Sequence, residues 1–247
     1  MQLIFGIGAL WGTRSDVTGV GPDQFGVLQD NMIDFSFELK ELYSQSQFPI
    51  DIARGKGKIT GKAKFARVFG ALYADLFFGL SLTQNSETNV SENEVVTLAS
   101  GTYTVAHSTT FVADLGVYYN TGGNLRFQYV TGAPSTGQYS TGTNGIYTFF
   151  TGDIGQSVAV SYVYTDANGK TITITNQYMG YTPTFVGTFY QQRNTQGGTG
   201  QLTLRLNECV SSHLSIPTKI DDYAMDDFDF QAFSTGAGAI GTLSTTE

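Results

Sequence analysis

The chain has 247 residues, 40% of them hydrophobic and only 14% charged, with 30 Gly, 18 Phe and 14 Tyr. That is room for one large domain or one domain carrying an insertion, and a charged fraction below the roughly 25% of ordinary soluble domains excludes a charged disordered tail or a coiled coil. The net charge of -8 argues against a general nucleic-acid binder, and one Cys excludes an internal disulfide framework.

In chain order, Gly21 to Leu39 read as two strands. Ile33, Phe35, Phe37 and Leu39 alternate with Asp34, Ser36, Glu38 and Lys40, so one face is expected in the core and the other in water. A looser stretch, Glu41 to Pro49, leads into a weaker alternation from Ile50 to Thr60, which together read as a long hairpin with an extended tip. Phe65, Val68, Phe69, Leu72, Tyr73, Leu76 and Phe77 fall at helical spacing, so a helix is predicted over about 64–79, with Gly70 inside it and Gly79 ending it. Thr83 to Asn93 is a polar stretch, after which composition shifts to Thr, Gly, Tyr and Val.

Short strands follow at Val95–Leu98, Tyr103–Ala106, Leu125–Val130, Ile146–Phe150 and Val158–Thr165, punctuated by Gly122-Gly123, Gly132-Ala133-Pro134 and Asn144-Gly145. A hairpin is predicted between Val158–Thr165 and Lys170–Gln177 around Asp166-Ala167-Asn168-Gly169. Later strands are Thr184–Gln191 and Gln201–Leu206, joined by a flexible Asn194–Gly200, and Asp226–Phe233. Ser234 to Glu247 reads as a mobile or partner-bound tail. No apolar run approaches the about 18 residues of a membrane helix, and Met1 to Gly12 lacks the pattern of a cleaved leader, so a soluble chain not exported by that route is expected.

Several clusters bear on chemistry. Arg54, Lys56, Lys58, Lys62, Lys64 and Arg67 are six of the 13 cations; they fit a solvated strand face, a contact with an acidic subunit surface, or nucleic acid. Gly55 to Lys62 lacks the order of a phosphate loop. Asp221-Asp222 and Asp226-Asp227-Phe228-Asp229-Phe230 fit a solvated face, a channel lining or contact with a basic neighbour, or a metal site, although no EF-hand spacing is present. Cys209 with His107 and His213 cannot build the usual zinc site, and Cys209-x-x-x-His213 lacks a third orienting residue for a nucleophile. No catalytic, cofactor-binding or metal residue is assigned. An acid pair for glycoside hydrolysis stays open, with only Trp11 available to stack sugars as a tryptophan.

A family resemblance rests on Gly6-Ile7-Gly8-Ala9-Leu10-Trp11-Gly12-Thr13, Phe25-Gly26-Val27-Leu28-Gln29-Asp30 and the segments Ile33–Phe37 and Ile52–Ala63. It also rests on the helix ending Leu76-Phe77-Phe78-Gly79, and on Leu202–Leu206, Ile216–Lys219 and Asp226–Phe233 near the end. These resemble the major tail tube protein of long-tailed bacteriophages, over the first 80 and about the last 65 residues. The resemblance implies a mostly β fold: a tail-tube-like β-sandwich or barrel of residues 1–95 and 166–247, one flanking α-helix, and an inserted β-rich segment or small subdomain at 96–165.

It further implies a non-enzymatic virion protein, assembled in the host cytoplasm, that polymerises as stacked hexameric rings into a tail tube for DNA ejection. No cofactor and no membrane insertion are implied. The partners would be other copies of the chain and the tape-measure and tail-end proteins, with DNA passing unbound. Inter-ring contacts are expected at Tyr43, Phe48, Pro49, Lys56 and Lys58, and a lumen-facing acidic surface at Asp227 and Asp229. The alternatives are another tail component such as a tail-end or joining protein, a β-sandwich binding module of fibre or carbohydrate-recognition type, and, more remotely, a β-sandwich hydrolase.

Overall fold

Alternation of apolar and polar residues sets most of the chain into strands, and the fold is mostly β, as expected. The structure, a computed structural model, describes residues 8–67, 69–120, 125–195, 198–236 and 238–246. Val68, the Gly122-Gly123 turn, Gly6-Ile7 and the tip of the 194–200 connection lie outside them. The chain starts with β1 (Ala9–Arg14), β2 (Asp23–Gln24), β3 (Leu28–Tyr43) and β4 (Pro49–Phe65), then helix α1 (Gly70–Leu72) continuing as a π-helical stretch, Tyr73–Phe78. Next come β5 (Leu82–Gln84), β6 (Glu87–Thr97), β7 (Thr102–Thr104), β8 (Phe111–Tyr119), β9 (Gln128–Tyr129), β10 (Gln138–Thr141), β11 (Ile146–Phe149), β12 (Ser157–Asp166) and β13 (Lys170–Ile172). The last strands are β14 (Thr184–Thr195), β15 (Gly198–Ser215), β16 (Asp226–Ala232) and β17 (Gly241–Thr245). Among the described residues no helix is long and apolar enough to cross a membrane.

The chain divides into two compact units, Met1–Leu82 with Ile172–Glu247, and Thr83–Thr171. The insertion is therefore wider than the expected 96–165. A boundary at residue 95 would cut β6, which is one continuous strand because it pairs with β12 from Glu87↔Asp166 to Thr97↔Ser157. Thr83–Asn93 is thus largely strand despite its polarity. The predicted 158–177 hairpin does not form: β6 and β8 occupy both edges of β12, while the short β13 pairs with β5.

The first unit is built on an eight-stranded sheet in the order β2-β1-β14-β15-β16-β4-β3, with β17 beside the first part of β15. The predicted tail is therefore partly a strand, with Gly241–Thr245 laddered to Leu206–Leu202. Of the connection expected to be flexible, Asn194 and Thr195 pair with Thr199 and Gly198 and continue the β14–β15 ladder. In β16 the alternation is complete: Asp226, Phe228, Phe230 and Ala232 are buried, and the residues between them are half-buried. Phe25, Phe65, Phe185, Phe228 and Phe230 form the aromatic centre of this core, with Leu10, Leu72 and Leu76 around them.

The helix is shorter than predicted. Phe65, the expected start, is the last residue of β4 and lies buried between Leu28 and Asp226 in the ladder. Strand pairing wins there because it satisfies backbone groups that a helix start would leave open. Gly70 consequently opens the helix, and Gly79 closes it at φ 64, where a glycine is favoured. Tyr73 fixes the helix to the sheet by donating its hydroxyl to Asp226, a carboxylate only 4% exposed, and burial and that carboxylate raise the Tyr73 pKa. Asp23 on β2 is pushed up to about 6 by burial and by the neighbouring Asp75 of the helix, and its buried Oδ2 has no donor among the described residues.

In the second unit, a three-stranded sheet, β6-β12-β8, and a four-stranded sheet, β7-β11-β10-β9, share a core of Val117, Phe127, Tyr139, Tyr147, Val158, Val160 and Tyr162. Strands β8 and β10 were missed in sequence. The tyrosines tolerate burial because two carboxylates accept their hydroxyls: Asp114 from Tyr139 (2.6 Å) and Tyr147 (2.9 Å), and Glu94 from Tyr162 (2.6 Å) and Tyr103. Burial pushes the Glu94 pKa up, but these hydroxyls and the Ala106 N–H outweigh it and the net shift is downward.

Candidate assembly surface

The β3–β4 hairpin leaves the body of the first unit. Residues 59–65 of β4 pair with β16, from Ile59↔Ala232 to Phe65↔Asp226. Beyond them, Ser36–Tyr43 and Pro49–Lys58 are laddered to each other, with β-bulges at Phe37/Leu39 and Leu42/Tyr43. The strands reach further than predicted, so the tip shrinks to Ser44–Phe48. At about 3.4 Å per residue this two-stranded ribbon extends roughly 27 Å, and an isolated two-stranded ribbon is marginally stable in water.

Side chains directly opposite in an antiparallel pair share a face. The row Ile33, Gly61, Phe230 and the row Asn31, Ala63, Phe228 belong to the core face. Gly61 is glycine because Phe230 lies across it: a Cβ there would stand 2.0 Å from the Phe230 ring. Followed outward, the same face carries Phe35, Phe37 and Leu39, which were expected to be buried. They are 50%, 53% and 63% exposed, because the sheet's alternation continues past the elements that cover it. Leu42, Tyr43, Phe48, Ile50 and Ile52 are exposed as well, Phe48 to 78%. Register puts Phe35, Phe37, Leu39, Tyr43 and Ile52 on that one face and Leu42, opposite Asp51, on the other, so both faces of the ribbon carry exposed apolar side chains. A monomer seldom leaves that much uncovered.

Of the predicted contact residues, Tyr43 and Pro49 are the last pair of the ladder, and Phe48 stands at the tip beside them. The Tyr43 hydroxyl donates to Glu41 on the same strand, which raises its pKa. Lys56 and Lys58 lie on β4 among Ser36, Glu38 and Gln231, away from the tip, and carry no ion pair among the described residues. Arg54 is instead 4.9 Å from the Phe37 ring centroid, and Arg67 is 5.1 Å from that of Phe69.

Asp227 and Asp229 lie on the opposite face of the sheet from the core, in rows with lysines. Lys64 stands between Asp30 and Asp227, and Lys62 between Met32 and Asp229. Both Lys–Asp contacts are 3.8 Å long and solvent-accessible, so each contributes at most about 1 kcal/mol. The acids therefore form one part of a mixed-charge face rather than a bare acidic strip.

A second exposed apolar group in this unit is carried by loops. Tyr178 and Met179 are fully exposed in a turn closed by the Tyr181 N–H on the Tyr178 carbonyl at 3.1 Å, with Gly180 at φ 94. Ile220 and Tyr223 are exposed near the acidic pair Asp221-Asp222.

The Cys209/His213 pair is separated by a bulge in β15: Cys209 faces the core opposite Ala232, while His213 lies opposite Asp229 on the outer face. Burial pushes the Cys209 thiol up to about 12. Among the described residues no three His, Cys, Asp or Glu side chains converge as metal ligands. No protein-family model matches the chain, and no curated protein matches it.

Proposed function

We propose that this protein is a non-enzymatic structural subunit that polymerises through the β3–β4 ribbon, of the kind that builds the tail tube of long-tailed bacteriophages. In that role it stacks as hexameric rings into a conduit for DNA in the virion, with tape-measure and tail-end proteins as its other partners. The observation that carries the reading is the apolar core face continuing onto a protruding ribbon that none of the described residues covers. Two features support it further. β3 is an edge strand of 16 residues without proline, which offers a neighbouring copy an unpaired ladder. The ribbon and the Tyr178/Met179 loop are different apolar surfaces of one unit; contact between unlike surfaces builds rings or open filaments, whereas a self-complementary patch stops at a dimer.

Electron microscopy and sedimentation of the purified chain at rising concentration test the reading. Hollow tubes or stacked rings are expected from the parent. Deleting Tyr43–Phe48, or combining Phe35→Thr with Phe37→Thr, is expected to leave folded subunits that no longer stack. Long tubes from the deletion, or a parent that stays monomeric even when seeded with preformed tail-end complexes, would overturn it.

A further inference from the structure

The outer face of the β6-β12-β8 sheet carries a trough whose walls are built by two bulges in one row. On β6, Glu94 pairs with Val160 and Ser91 with Tyr162, so Glu92 and Asn93 both stand opposite Ser161. On β8, Gly116 pairs with Ser161 and Asp114 with Tyr162, so Leu115 is the extra residue on the other side. Bulges re-aim side chains, and a pair of them bracketing one small residue raises both banks of the central strand. Ala159 and Ser161 form the floor, Glu92 and Asn93 one bank, Leu115 and Tyr118 the other, around a space of about 590 Å³.

The bank on β6 is held in place: Asn93 adopts φ 57, and its N–H donates to Ser161 Oγ at 3.0 Å. Tyr118 is flanked by Arg126, which pairs opposite it in an isolated bridge and holds its guanidinium 5.9 Å from the ring centroid.

From this geometry we infer that the trough binds a neutral saccharide chain. Its volume falls within the roughly 300–1,000 Å³ of small-ligand sites. The backbone groups of β12 are engaged on both edges, so a ligand on this face is read by side chains and an added peptide strand is excluded. Those side chains are a carboxylate that accepts, an amide that donates and accepts, and an aromatic ring with a neighbouring leucine. That set matches a ligand alternating hydroxyl groups with C–H faces. Glu92 places a negative charge on one bank and Arg126 a positive one beside Tyr118 on the other, so the two offset each other and the trough suits a neutral chain better than a polyanion. The trough is built from residues of the second unit alone, so the inference does not rest on polymerisation through the first.

The test is isothermal titration of the full chain with cellotetraose, maltotetraose and the β-1,4-linked N-acetylglucosamine tetramer, using tetragalacturonate as the anionic control. At least one neutral tetramer is expected to bind with micromolar to low-millimolar Kd, at least about tenfold tighter than the control. Tyr118→Ala and Glu92→Gln are each expected to weaken it by about tenfold or more, and Ala159→Leu, which fills the floor, to abolish it. Should Ala159→Leu fail to fold, Leu115→Ala on the exposed bank carries the same test, with an expected weakening of about tenfold. The inference is overturned by no binding of any neutral tetramer up to about 10 mM, by equal binding of tetragalacturonate, or by affinities that survive these substitutions.

Discussion

Two acids, the buried Asp226 and the half-buried Asp23, decide much at the scale of single residues, and in opposite ways. Asp226 is 4% exposed and receives the Tyr73 hydroxyl, so Tyr73→Phe strands a carboxylate without that donor. We expect a loss of about 2–3 kcal/mol in urea unfolding at neutral pH, larger than removal of one hydroxyl from a surface would cause. Among the described residues Asp23 has no donor to its buried Oδ2 and faces Asp75, and its folded pKa of about 6 stands above the unfolded value of about 3.9. The folded state thus holds this proton more tightly. Its contribution to stability is full below the unfolded pKa and is lost as pH rises through about 6. Asp23→Asn is expected to remove that fall and to be more stable than the parent above about pH 6, measured as urea midpoints from about pH 4 to about pH 7.5.

Between residue and molecule, the elements show what alternation can and cannot report. The β16 pattern, the long hairpin and the Gly79 stop were legible because each is set by its own few residues. Phe35, Phe37 and Leu39 were misread because a period of two identifies a face but not what covers it, and that depends on where β16 ends. The early helix start failed because Phe65 fits both the helical spacing and the ladder opposite Asp226. Strands β8 and β10 are hidden in sequence because Tyr139 of β10 buries its ring by donating to Asp114 of β8, an acid 25 residues away that breaks the apolar alternation of its own strand. The charge rows were likewise invisible, since Lys62 and Lys64 meet Asp229 and Asp227 through strand register alone. Register also makes Gly61 specific: Gly61→Ala pushes a methyl into the buried Phe230 ring and is expected to cost about 2–3 kcal/mol by thermal or urea unfolding.

Across the whole molecule, the insertion leaves and returns through paired strands, β5 and β13. Joining Gln84 to Lys170 through an Asn-Gly turn should therefore leave the first unit able to fold alone, seen as a single cooperative unfolding transition with its near-ultraviolet aromatic signal retained. Loss of cooperativity would show that the first unit depends on the inserted one. The pairing of Glu87 with Asp166 has a kinetic side. For the first unit, the inserted stretch is a loop of roughly 90 residues, whose closure costs about 2–3 kcal/mol more than a tight turn. Once β6 and β12 have met, that entropy has been spent by the insertion's own folding, and the two ends arrive at β5 and β13 already side by side. The inserted unit then acts on its host as a short connector, and the order of folding that lowers the barrier runs from the inside of the sequence outward.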